Sequence, residues 1–321
     1  MRVVMTGGGG FIGSHLLARM VGAGIDVTLL GPNTGKSRYT ESLVAAGTVR
    51  LLRCAPDFGN ESVLRLAVDD ADALVLLGYV LPTATGPVGR LLEEFKLNVE
   101  PLVRLLRVAC DRPRHVVFAS SVSVYGTPER VPVAETEPER PCTAYGIAKL
   151  ACEQVVRISS ASAGGTTSVL RYATVYGPGE TVPRAIPNFI RAALAGEPPL
   201  VAGDGLDERD YVHVADVAQA TMRALERRAD GTFNIGSGRG TRTIDLARLV
   251  LQLTGAKVDP LFRPSRLADH GPVRMFCDTA RAREVLGFVA HDELSAGISE
   301  EIGWFRSQLA STPAHSLAAT A

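Results

Sequence analysis

Apolar and polar residues alternate along the chain with two periods. Six short apolar-rich runs, residues 2–5, 26–30, 49–53, 73–77, 115–119 and 168–172, read as strands. Between them lie longer stretches with apolar side chains at helical spacing, such as 14–21 and 91–110. A short strand followed by a longer helix, repeated, is the rhythm of βαβ units. Strands this short and apolar suit a parallel sheet covered on both faces. Beyond Tyr176 the rhythm loosens: Pro178, Pro183, Pro187, Pro198 and Pro199 punctuate the chain, and an amphipathic segment over 244–253 precedes a Pro- and Arg-containing stretch to Arg274. An α/β fold with a second, smaller C-terminal lobe is expected. The segment 310–321 is small, polar and without period, and is expected to be a disordered tail.

Charge and cysteine content narrow the partners. The 321 residues carry 34 Lys+Arg against 34 Asp+Glu, a net charge of zero with no concentrated basic block. That leaves no electrostatic footprint for nucleic acid, so a small-molecule partner is expected. The five cysteines, Cys54, Cys110, Cys142, Cys152 and Cys277, are far apart and form no CxxC, which argues against a disulfide framework or a zinc site and suits a reduced cytoplasm. The six histidines show no ligand spacing, so no metal is expected. The first apolar run is too short for a signal peptide, and no segment offers the roughly 18 apolar residues of a membrane span. The compositional outlier is glycine, at 32 residues.

Glycines cluster where the first strand ends. Thr6-Gly7-Gly8-Gly9-Gly10-Phe11-Ile12-Gly13 places glycines at 7, 10 and 13 before a helix starting near Ser14. The first suits a tight turn, the second a close backbone approach to a pyrophosphate, the third close helix–strand packing, and the helix N-terminus supplies partial positive charge. A nicotinamide dinucleotide is the expected cofactor, with Gly7, Gly10, Phe11, Ile12 and Gly13 as its cradle. An acid normally follows about 20 residues on, at the end of the second strand, to bind the adenosine ribose. Here Leu30 is followed by Gly31, with Lys36 and Arg38 nearby, so the reading is NAD with NADP possible. Asp57 and Phe58, after the third strand, suit an adenine-edge contact and an apolar wall. The chain then divides into a dinucleotide-binding Rossmann part over 1–175, with returns near 209–236, and a substrate-binding lobe of 176–208 and 237–309.

Tyr145 and Lys149 stand four residues apart, on one face of a helix. A phenol titrates near pH ~10, so it serves as a base only where positive charge lies close. Ser120-Ser121-Val122-Ser123-Val124-Tyr125-Gly126 follows the fifth strand, and a hydroxyl there faces the crevice where doubly wound sheets bind ligands. No Gly-x-Ser-x-Gly elbow is present, so these serines are polar ligands rather than acyl nucleophiles.

With these motifs in order, the chain resembles the extended short-chain dehydrogenases/reductases over about residues 1–305, specifically the NAD-dependent epimerase/dehydratase group acting on nucleotide sugars. The resemblance implies that Ser121 is the catalytic Ser/Thr, Tyr145 the proton-transfer tyrosine, Lys149 the lysine that orients the nicotinamide ribose, and Asn98 the helical asparagine completing a tetrad. Further matches are the runs 170–178, 209–217 and 233–238, with Ser123, Thr174 and Arg209 on the substrate and Arg209 near a nucleotide phosphate. In the family the 91–110 helix and the one bearing Tyr145 often pair across a homodimer, so a dimer is expected. The stripe Leu92, Phe95, Val99, Leu102, Val103, Leu106 and Ala109 otherwise reads as packing on the sheet.

Departures from the family pattern narrow the reaction. Sugar 4,6-dehydratases carry an Asp-Glu pair after the catalytic Thr; here Val122 and Ser123 stand there and can supply neither acid nor base. Thr174 is similar to glucuronate 4-epimerases, but their Arg-Pro-Asp-Met run is replaced by Glu180-Thr181-Val182-Pro183. The usual Arg-Pro-Gly-Asp stretch is Ala268-Asp269-His270-Gly271, leaving its arginine absent or replaced by Arg266 or Arg274. The expected activity is a nucleotide-sugar 4-epimerase; an NADPH-dependent 4-ketoreductase of deoxysugars and a non-catalytic dinucleotide sensor are the alternatives.

Overall fold

The structure, a computed structural model, describes residues 1–35, 37–112, 114–264, 273–290 and 293–311. Its strands are β1 (Arg2–Thr6), β2 (Asp26–Gly31), β3 (Arg50–Arg53), β4 (Ala73–Leu76), β5 (His115–Ser121), β6 (Thr166–Tyr172), β7 (Thr174–Tyr176), β8 (Leu200–Ala202), β9 (Glu208–His213), β10 (Gly231–Ile235), β11 (Gly240–Arg242), β12 (Leu261–Arg263) and β13 (Arg274–Met275). The helices are α1 (Phe11–Gly22), α2 (Arg38–Ala45), α3 (Glu61–Val68), α4 (Pro87–Glu94), α5 (Glu100–Ala109), α6 (Ala144–Ser162), α7 (Ala185–Leu194), α8 (Val214–Arg227), α9 (Thr243–Thr254) and α10 (Leu294–Ser311).

Seven strands form one parallel sheet in the order β10-β6-β5-β4-β1-β2-β3. Alternate residues of each strand face opposite sides, and each side carries its own core. Val3, Met5, Val75 and Val117 pack with Leu16, Leu17 and Met20 of α1 and with Val217 and Leu225 of α8. Val4, Leu74, Leu76 and Phe118 pack with Leu64 and Val68 of α3, Leu105 and Leu106 of α5 and Val156 of α6. Both faces are covered, as the continuous apolar strands demand. This is the doubly wound Rossmann arrangement, and the order reverses between β1 and β4.

Beyond β6 the chain builds a second layer. β7, β9, β11 and β13 form a small sheet, β8 pairs with β12, and α7, α9 and α10 bury a separate core containing Ile186, Phe189, Ile190, Leu246, Val250 and Ile298. The chain returns to the main sheet through α8 and β10. Residues 208–213, expected within that return, pair instead with β7.

The 91–110 segment departs from a uniform helix. α4 and α5 are joined by a π-helical turn, Phe95–Val99, in which the Glu100 N–H donates to the Phe95 carbonyl. Pro101 has no N–H to donate to residue 97, so a regular α-turn would lose a bond there and the wide turn absorbs the gap. The apolar stripe splits accordingly. Val99, Leu102, Leu106 and Ala109 are buried, whereas Leu92, Phe95 and Val103 are exposed. The expected tail begins later than residue 310, since α10 continues through Ser311; 312–321 lie outside the described residues.

Candidate active site

The crevice forms where the strand order reverses, at the carboxyl ends of β1, β4 and β5. β1 ends at Thr6, Gly7 takes φ +74°, and the Gly10 N–H donates to the Gly7 carbonyl at 3.0 Å. Gly10 caps α1 with no side-chain hydrogen bond, and no acid sits in the helix's first turn, so its amides and dipole are open to an anion. A Cβ at position 13 would lie 2.0 Å from the Gly7 carbonyl oxygen. Only glycine lets α1 start this close to the turn, leaving a cradle of backbone that fits a pyrophosphate.

Two chambers open from this cradle. One, about 240 Å³, runs past Leu29, Gly31, Pro32 and Phe58 to Asn98 and Lys149. No carboxylate is among its described lining residues, and Lys149 is its one described cation. Phe58 lines it, but Asp57 does not: its carboxylate accepts from the Gly59 N–H and faces Arg104 at 3.5 Å. Arg38 is exposed at the start of α2 and does not line it either, while Lys36 lies outside the described residues.

The other chamber, about 580 Å³, brings together Gly7, Gly10, Phe11, Ile12, Gly13, Ser121, Ser123, Tyr145, Lys149, Thr174 and Arg209. Ser120 and Ser121 both line it, but the Ser120 hydroxyl is committed to Glu153, to which it donates at 2.5 Å. The Ser121 hydroxyl accepts from the Ser123 N–H at 3.2 Å, and the buried Ser123 hydroxyl has no protein partner. Thr143 caps α6, its hydroxyl accepting from the Gly146 N–H at 3.0 Å. A Cβ on Gly146 would sit 2.6 Å from the Ser123 carbonyl, so glycine lets the helix bring Tyr145 against the serine turn. One turn further, the buried Lys149 donates to the Ala119 carbonyl at 2.8 Å and lies 4.3 Å over the Tyr79 ring and 5.8 Å from that of Tyr145.

Asn98 is placed differently from the three residues it was grouped with. Within the widened turn, its amide accepts from the Val80 N–H and donates to the Val80 carbonyl, at 2.8 and 2.9 Å, and donates to Glu94 at 3.0 Å. It fastens the segment after β4 to the helix, and its hydrogen bonds do not reach Lys149. Tyr79, on that segment, was not foreseen from the sequence. Its hydroxyl donates to the buried Glu94, and its ring stands edge-on to Tyr145 at 5.2 Å. The signal was available, because Tyr79 follows the end of a parallel strand at the crevice.

Two motif residues are structural. Arg171, 1% exposed, donates to both oxygens of the buried Glu153 and stacks on Tyr125, tying β6 to α6. Asp210 accepts from Ser237, Gly238 and Cys277, and burial lifts its carboxyl above the ordinary value against those bonds. With Asp210 turned inward, β9 alternation directs Arg209 and Tyr211 outward toward the ligand pockets. Arg274 is paired with Glu208 at 2.8 Å, and residues 266 and 268–271 lie outside the described residues. Among the described residues no group of three or more His, Cys, Asp or Glu could hold a metal, and no helix is long and apolar enough to cross a membrane.

A glycine turn at the switch point of a doubly wound sheet, opening on a cavity shared by a serine, a tyrosine and a lysine one helical turn on, defines a dinucleotide-dependent protein of the short-chain dehydrogenase/reductase class. Residues 3–236 match the NAD dependent epimerase/dehydratase family, and the chain belongs to that family. It is 34% identical over 326 residues to a UDP-glucose 4-epimerase of Mycolicibacterium smegmatis, with 96% of this chain and 99% of the relative covered. Among solved structures, UDP-glucose 4-epimerase of Thermotoga maritima with UDP-glucose superposes with a TM-score of 0.85 at 28% identity, covering 96% of this chain and all of that one. MoeE5 in complex with UDP-glucose and NAD gives 0.84 at 30% identity, over 96% and 100% of the two chains.

Proposed function

We propose that this protein is a nucleotide-sugar 4-epimerase that uses bound NAD and passes through a transient 4-keto sugar. The observation that carries the reading is the single cavity in which the glycine cradle, Ser121, Tyr145 and Lys149 meet Thr174 and Arg209. The epimerase relatives and neighbours, each aligned over nearly the whole chain, support it.

Bound NAD supplies reversible oxidation at the sugar C4. Tyr145 takes the proton of the 4-hydroxyl and later returns it, while the Ser121 hydroxyl holds the same oxygen. Lys149, anchored by the Ala119 carbonyl, places an ammonium beside the phenol ring, which stabilises negative charge on the tyrosine oxygen. In addition Lys149 faces the chamber running to Gly31 and Phe58, where it can bind a ribose hydroxyl. The unpartnered Ser123 hydroxyl and Thr174 hold sugar hydroxyls, and Arg209 holds the diphosphate. The keto sugar, its C4 hydrogen given up as hydride and its hydroxyl proton to Tyr145, turns its other face before the hydride and the proton are returned. Val122 and Ser123 offer no acid or base for dehydration, so the sugar is returned intact.

In this reading the sheet-forming part holds the cofactor, and β7 and β9 together with the 176–208 and 237–309 lobe hold the nucleotide sugar. The partner copy is a homodimer mate, seated on the exposed Val88, Leu92, Phe95 and Val103 of the α4–α5 helix and Ile158 of α6. Five free thiols suit the reducing cytoplasm. Incubating purified protein with UDP- and dTDP-hexoses, with and without NADPH, tests the activity. Interconversion at C4 without added reductant is expected; turnover only of a 4-keto sugar with NADPH would contradict it.

A further inference from the structure

One acidic group faces the large cavity and has no place in the proposed reaction. Glu180 is the only carboxyl among the described residues lining that chamber, and it also lines the smaller pocket beside it. The chain reaches it through a turn in which the Glu180 N–H donates to the Gly177 carbonyl at 3.1 Å. Its side chain is 2% exposed, yet Oε1 makes no hydrogen bond within the protein. The Arg184 guanidinium lies 3.8 Å from that oxygen, Arg191 is the other cation acting on it, and the buried Glu301 carboxyl faces it. A buried oxygen left without a donor works against folding, so its position points to a ligand that supplies one.

The cations around the cavity complete the argument. Among its described lining residues these are Lys149, Arg184 and Arg209. Lys149 is bonded to the Ala119 carbonyl, Arg209 is the diphosphate ligand of the proposed function, and Arg184 faces Glu180. A sugar bearing a carboxylate would therefore meet another carboxylate, with the adjacent guanidinium already paired. A sugar hydroxyl would instead donate to Oε1.

We infer that Glu180 is a specificity-determining residue that admits uncharged sugars and rejects uronates. This rests on the 4-epimerase reading and narrows its substrate class. Burial lifts the Glu180 carboxyl to about 7, against Arg184 and Arg191, so the ionised form prevails at pH 8.5, where discrimination is best measured.

The test is competitive binding of UDP-glucose and UDP-glucuronate at pH 8.5, with wild type, Glu180→Gln and Glu180→Ala, each checked for folding by its thermal melt. Wild type is expected to bind UDP-glucuronate at least about tenfold more weakly than UDP-glucose, and both substitutions should narrow that ratio by raising uronate affinity. Equal affinities in wild type, or an unchanged ratio in both folded variants, would overturn the assignment alone. Failure of wild type to bind either sugar nucleotide would overturn the epimerase reading and the assignment with it.

Discussion

Buried carboxyls at the lobe junction give the clearest residue-level consequence. Glu301 is wholly buried, accepts one hydrogen bond from the Gly177 N–H at 3.0 Å, and faces Glu180. Burial, with the charge of Glu180 adding to it, lifts its carboxyl to about 8. The folded state thus holds a proton that the unfolded chain has already released at neutral pH. Stability from this group is full below about 4.5 and is lost as pH rises toward 8. Thermal melts between pH 6.5 and 8.5 should therefore show a falling melting temperature, and Glu301→Gln should flatten the fall. His115, held down to about 4 by burial, loses stability only as pH drops below its ordinary 6.5, outside that window. A wild-type melt that rises across the window would contradict the assignment of Glu301 as a protonated acid.

At the scale of elements, the cradle depends on how closely α1 follows β1. Gly13→Ala puts its Cβ against the Gly7 carbonyl, so the helix must shift or the strand end must give; a loss of a few kcal/mol is expected. Gly10→Ala meets only the same oxygen at 3.3 Å, so the fold should persist while the methyl obstructs the cofactor. Melting temperature and bound NAD, measured on both variants, should separate them: the first loses both, the second mainly NAD. The first six strands were legible in the sequence because each is a short apolar run ended by polar or turn residues. The seventh strand of the main sheet, β10, was visible only as a motif, since its pairing with β6 joins residues 63 apart, Gly231 with Ser168, and is fixed by the β9–α8 excursion rather than by local pattern. The same limit hid the pairing of β9 with β7. Helical spacing drew residues 91–110 as one stripe, but Pro101 imposes a wide turn that rotates Leu92 and Phe95 outward and gives Asn98 its grip on Val80. Ser121, Tyr145 and Lys149 were legible because strand end and helix spacing are local signals. Tyr79 carries one local signal, its place after a strand end, but its contact with Glu94 depends on the path of a loop and is not legible.

For the whole molecule, the proposed function draws on two layers that line one cavity. The Rossmann sheet contributes the glycine cradle, Ser121 and Tyr145, and the second layer contributes Thr174 and Arg209. The exposed apolar row on α4–α5 lies on the helical layer that carries the site. Its proposed partner is a second copy, and Leu92→Glu places a charge in its middle. Light scattering after size exclusion should give a dimer for wild type and a monomer for that variant; a monomeric wild type would contradict the interface. The central claim is a sugar oxidised at C4 and reduced again without leaving the cavity. Its most direct measurement is product analysis by NMR after incubating UDP-glucose deuterated at C4, with no added reductant. The account predicts UDP-galactose that retains the deuterium at C4, formed by wild type and slowed about 10²–10⁴-fold by Tyr145→Phe. Loss of the label to solvent, or conversion that Tyr145→Phe leaves unchanged, would contradict it.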